Sequence, residues 1–190
     1  MTKMLAYHND PDLKARFLKE LAKHRRADSL MKGSYGVTDG RRWRGCAVGC
    51  SLRSMNKLAG KPRVEWGIST GVHARYPKEL GIPEHLAYLE DRIFEGLPEK
   101  DAQQWPERFS KAIAPGADLS MVWSRFAVWL LLDVKQYANP AGKAAIDGVV
   151  ALFDRRLEGN EPSSGEWAAW AAAYKRQADK LIQLLEQCKP

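Results

Sequence analysis

Apolar residues recur at helical spacing along most of this chain, in segments that open on proline or an Asx residue and close on glycine or proline. The pattern breaks once, between Ser34 and Tyr76. That punctuation restricts the chain to a helical domain with one irregular insert. Asn9-Asp10-Pro11 opens a helix whose face is Leu13, Phe17, Leu18, Leu21 and Leu30, expected to run to Met31 and stop at Gly33. Ile82-Pro83-Glu84 opens another, with Leu86, Leu89, Ile93 and Phe94 inward and Gly96-Leu97-Pro98 as its stop. The stretch from Asp101 to Ile113 is helical in period, and Pro106 should split it. Leu119, Val122, Trp123, Phe126, Trp129 and Leu130 make the most apolar helix, expected to be the central core element; Ile146, Val149, Val150 and Phe153 form a further inward face after Asn139-Pro140.

Residues 159–165, GNEPSSG, read as a linker, and Ser163 with Glu166 three residues on is a capping box that starts the last helix. The expectation is a mainly α protein, a single-domain helical bundle over residues 1–158 with a long C-terminal helix at 163–188 packing on it. The stripe Trp167, Trp170 and Tyr174 on that helix also suits a docking surface for a second copy, which makes a homo-oligomeric interaction module an alternative.

Within the insert, about residues 34–76, Asp39-Gly40 is a hairpin signal between Tyr35-Gly36-Val37 and Arg42-Trp43-Arg44, so a small β-ribbon is expected. After Gly45 the run CAVGCSLRSMNKL recovers a helical pattern, and Val64 to Ile68 suits an extended piece. The insert also holds the charge. The chain carries +7 formally, and Arg41, Arg42, Arg44, Arg53, Lys57, Lys61 and Arg63 fall between Gly40 and Val64 with no acidic residue among them. Outside that segment basic and acidic residues balance, so the field is local and attracts anions such as nucleotides or nucleic-acid phosphates. The expected ligand contacts are Arg41, Arg42, Trp43, Arg44, Gly45 and Arg53, with Trp43 and Trp66 as stacking platforms and the glycine-flanked start of the following helix as a phosphate seat. His24-Arg25-Arg26 reads as a solvated face.

Cys46 and Cys50 stand four apart, on one face of a helix that Cys46 would open. A thiol there beside arginines suits a nucleophile, with His73 or His85 as base and Glu90 or Asp91 orienting it; small buried cysteines packed with Ala47, Val48 and Gly49 are the commoner arrangement. A cysteine-dependent enzyme is thus the catalytic alternative to a binding protein. Glu90 lies at the edge of an apolar face, where a salt bridge to the basic segment is expected. C-x3-C without paired histidines argues against a zinc site, so no metal or cofactor is expected, and no HExxH, Walker, dinucleotide or GxSxG motif is present. An odd cysteine count and a start that runs straight into a charged helix point to a reducing cytoplasm, and the longest apolar run, Phe126 to Leu132, is too short to span a bilayer.

The blocks RGCAVGC, LGIPEHLAYLEDRIFEGLP with WPERF, and QADKLIQLLEQ resemble those of a set of small uncharacterised proteins of bacteria and their phages, in scattered blocks from Tyr7 to Gln187. The resemblance implies a prophage or accessory context and carries over no activity, ligand or catalytic residue. The leading expectation is a non-catalytic binding protein that engages an anionic partner through the basic segment.

Overall fold

The computed structural model describes residues 4–40, 42–61 and 72–168. The protein is mainly helical with a small two-stranded antiparallel sheet. It falls into two compact units, Met1–Ser120 and Met121–Pro190.

In the first unit, α1 (Pro11–Arg26) starts as its sequence dictates: the Asp10 carboxylate accepts from the N–H groups of Asp12 and Leu13, and Pro11 needs no donor of its own. It ends earlier than the apolar spacing suggests. Ser29 N–H reaches back to His24 O and Asp28 N–H to Arg25 O, with Asp28 in the left-handed region at φ 49°. This is a Schellman closure with aspartate where glycine is usual, so the stop has no glycine to mark it. Leu30 leaves the helix and bridges to Gly45, buried to 2% exposure.

Strands β1 (Val37–Asp39) and β2 (Arg42–Arg44) form the expected hairpin, with Val37 opposite Arg44 and Asp39 opposite Arg42. Helix α2 (Ala47–Leu58) follows and is the true centre of the unit: Ala47, Val48, Cys50 and Leu52 are all at 0% exposure. It packs against α1, α4 (Glu84–Gly96) and α6 (Trp105–Ala112). Close approach explains the small residues. A Cβ on Gly49 would lie 1.7 Å from the Tyr35 carbonyl oxygen. The short α3 (Arg75–Leu80) is clamped to α2 by Arg75, which bonds Asn56 at 2.7 Å and pairs with Glu79. Pro98 opens the one-turn α5 (Glu99–Ala102), and Pro106 sits in the first turn of α6, so the stretch from Asp101 is split as expected.

The second unit pairs α7 (Val122–Lys135) with α8 (Pro140–Leu157) around Ala127, Val149 and Phe153. Here the expectation of a central apolar helix is corrected. On α7 only Ser124 and Ala127 are buried, while Trp129 is 58% and Leu132 49% exposed. Among the described residues α7 packs chiefly on α8, and high apolar content alone does not make a core; α2, with smaller side chains, is enclosed by α1, α4 and α6. The Ser163–Glu166 capping box forms as expected, with Ser163 N–H donating to Glu166 at 2.8 Å and Glu166 N–H to Ser163 Oγ at 3.3 Å. Trp167 packs edge-on against Phe153, with ring centroids 5.1 Å apart. Trp170 and Tyr174 lie outside the described residues, as do Arg41, Trp66 and the stretch Val64 to Ile68. Among the described residues no helix is long and apolar enough to cross a membrane.

Candidate functional site

The β-hairpin folds its cationic strand back over α1 and α2, and the three elements enclose a cleft of about 770 Å³. Its walls are Glu20, Lys23, His24, Ala27, Asp28 and Ser29 from α1 and its end, Arg42, Trp43 and Arg44 from β2, and Arg53, Ser54 and Lys57 from α2. Five cations therefore face two carboxylates, an excess of three positive charges around a cleft of ligand size.

Each group has a defined state. Burial pushes the Glu20 carboxyl up, but hydrogen bonds from Lys23 at 2.5 Å and Lys57 at 2.7 Å outweigh it and hold the group below its usual range. Arg44 stands 3.9 Å from Asp28. Arg42 is exposed and has no ion-pair partner among the described residues. His24 is not on a solvated face. Burial, then the charge of Arg53, lowers its pKa to about 4, so the imidazole is neutral at pH 7. Its ring lies against Trp43, centroids 5.7 Å apart.

Trp43 is likewise not a free stacking platform. The Arg53 guanidinium sits over its ring at 4.4 Å, and the indole fills the space left by Gly36 and Gly45, where a Cβ would come within 2.8 Å of it. The residue orients Arg53 instead of offering a bare face. Nor does the start of α2 offer free donors. Gly45 N–H donates to Ser29 O at 2.8 Å, Gly49 N–H to Cys46 Sγ at 3.5 Å, and the first turn is buried. The phosphate-seat expectation fails there because the fold uses those groups for itself. Of the sequence-predicted ligand residues, the cleft collects Arg42, Trp43, Arg44 and Arg53, and Gly45 supports it from behind. Lys23 and His24 join them from α1, and no local motif marks them.

A second pocket, of about 380 Å³, shares no lining residue with the first. It is bounded by Gly33, Ser34, Tyr35, Cys46, Asp91 and Glu95. Here the structure does bring together Cys46, Asp91 and, through it, His73, whose Nε2 is 3.5 Å from Asp91 Oδ2. His85 is exposed on α4. The thiol does not have the character a nucleophile needs. Burial raises its pKa to about 12, against a lowering from the Gly49 N–H, and the Asp91 charge raises it further. Among the described residues no arginine lines this pocket, and Arg42 and Arg44 of β2 line the other one. Cys50 is fully buried beneath, raised by burial, with Sγ near Ser29 O and Gly45 O.

Glu90 differs from expectation. It is at 0% exposure, and the group that meets it is the Tyr76 hydroxyl, which donates at 2.7 Å, not a cation. Burial raises its pKa to about 8, so it is protonated at neutral pH. No family model, curated protein or solved structure matches the chain.

Proposed function

We propose that the protein is a non-catalytic binding protein that takes a phosphate-bearing ligand, a nucleotide or a nucleic-acid strand, in the cleft between β2, α1 and α2. The observation that supports this is the gathering of Arg42, Arg44, Arg53, Lys23 and Lys57 around one cleft of about 770 Å³, in a chain whose whole charge excess lies in the segment between Gly40 and Val64. Glu20 holds Lys23 and Lys57 in place by two short bonds, which lowers the ordering cost when an anion arrives. Arg42 supplies the exposed charge that meets it first. Trp43 acts by fixing Arg53. The context is that of a bacterial or phage accessory protein working in the cytoplasm.

The test compares ATP with a fluorescent single-stranded oligonucleotide, each titrated across a salt series against wild type and the double variant Arg42→Glu, Arg44→Glu. The variant is expected to bind more weakly, and the slope of log affinity against log salt should flatten by about 0.7–0.9 for each phosphate that it no longer neutralises. Tighter binding of ATP identifies a nucleotide site, and tighter binding of the oligonucleotide a strand site. Absence of binding to either, or equal binding by the variant, overturns the reading.

A further inference from the structure

Cys46 caps α2, and Asp91 and Glu95 stand one turn apart on α4. Their Sγ and carboxylate oxygens lie within 4.8 Å of one another at the second pocket. Two carboxylates at i, i+4 repel, and among the described residues no lysine or arginine pairs with either: Asp91 meets His73, the Tyr35 hydroxyl and the Cys46 thiol, and Glu95 accepts Gly33 N–H at 3.0 Å.

An independent observation comes from His73. The residue is 3% exposed, and its Nε2, directed at Asp91 Oδ2 from 3.5 Å, makes no hydrogen bond. Asp91 Oδ1 is also buried and unbonded. Buried polar atoms without a hydrogen bond are rare and costly, and two of them meet at Asp91, where His73 Nε2 has only the 3.5 Å ion-pair contact. A cation satisfies the two carboxylates and the thiol at once, and it fixes the carboxylate that the imidazole faces.

We propose that Cys46, Asp91 and Glu95 ligate a divalent transition-metal ion, with zinc the best chemical match, and that His73 is a positioning residue that orients Asp91. A thiolate excludes the hard ions magnesium and calcium, and mixed sulfur and oxygen donors suit zinc. Tetrahedral zinc sets its ligand atoms roughly 3.5 Å apart, and exposed Glu95 can supply the closing movement. A divalent cation displaces the thiol proton on coordination. Three protein ligands leave a fourth position facing the pocket, as in zinc sites that bind water or a small molecule. The spacing C-x3-C conceals this set, because Cys50 faces backbone carbonyls and the partners of Cys46 lie on α4.

The experiment uses the untagged full chain with Cys188→Ser, which removes the third cysteine of the sequence. Zinc chloride is titrated calorimetrically, and cobalt(II) is followed by its thiolate charge-transfer absorption. One equivalent of zinc and a charge-transfer band are expected. Cys46→Ser should abolish the band, and the surface variant Glu95→Gln should weaken zinc binding by about tenfold or more with an unchanged melting temperature. His73→Gln should weaken binding while leaving the band in place. Serine is close in size to cysteine and a good helix cap, so Cys46→Ser keeps the fold. No stoichiometric uptake by folded protein, cobalt uptake without a thiolate band, or equal affinity in Glu95→Gln overturns the assignment.

Discussion

Replacing Glu90 by glutamine should change how stability depends on pH more than it changes stability itself. Glu90 is fully enclosed, bonded by the Tyr76 hydroxyl through one oxygen, and its other oxygen has no hydrogen-bond partner. Its folded pKa is raised from the ordinary 4.5 to about 8, chiefly by burial. Between those values the folded protein holds a proton that the unfolded chain has released. The stability linked to that proton is therefore fully present below pH 4.5 and is lost as pH rises through about 8. At about 1.4 kcal/mol per tenfold change in proton affinity, the displacement corresponds to roughly 5 kcal/mol at most. Glutamine fills the same space, accepts from Tyr76 and binds no proton. Wild type and Glu90→Gln should thus be close in stability near pH 5, and the variant should be the more stable by a few kcal/mol near pH 9. Urea titrations at the two pH values measure this, with unfolding read by hydrogen–deuterium exchange on peptides of α2 and α4 so that only the first unit contributes. The difference between the two proteins removes the background from every other titrating group. Parallel curves, with the same gap at both pH values, would refute the argument that Glu90 is buried neutral.

Gly49→Ala sets a helix-propensity gain of about 1 kcal/mol against a Cβ placed 1.7 Å from the Tyr35 carbonyl; the obstacle is backbone, so a net loss of about 2 kcal/mol or more is expected in the urea midpoint, and an unchanged or raised midpoint would contradict the packing. Cys46 and Cys50 should resist iodoacetamide at pH 7 in the folded protein and react once it is unfolded, as located by peptide mass; fast labelling of Cys46 in the native state would restore the nucleophile reading.

Much of the candidate cleft was legible in advance because Arg42, Trp43, Arg44 and Arg53 are neighbours in sequence as well as in space. Their roles were not. Whether Trp43 offers a face depends on Arg53, Gly36 and Gly45 converging on it, and whether His24 is wet depends on the hairpin lying across α1. Lys23 gave no signal of its own, since one lysine on an exposed-looking turn resembles any other.

What the sequence determined by itself are features decided within a turn or two of backbone: the Asp10-Pro11 start of α1, the hairpin between Val37 and Arg44, the split at Pro106 and the capping box at Ser163. Caps, φ restrictions and missing donors act locally, so local residues suffice to state them. Tertiary structure alone decided that α2 rather than α7 is enclosed, that Glu90 loses its charge to burial, and that Cys46 meets Asp91 and Glu95 across more than forty residues of chain. Those outcomes depend on which surfaces exclude water from which groups, and that is set by packing between elements distant in sequence.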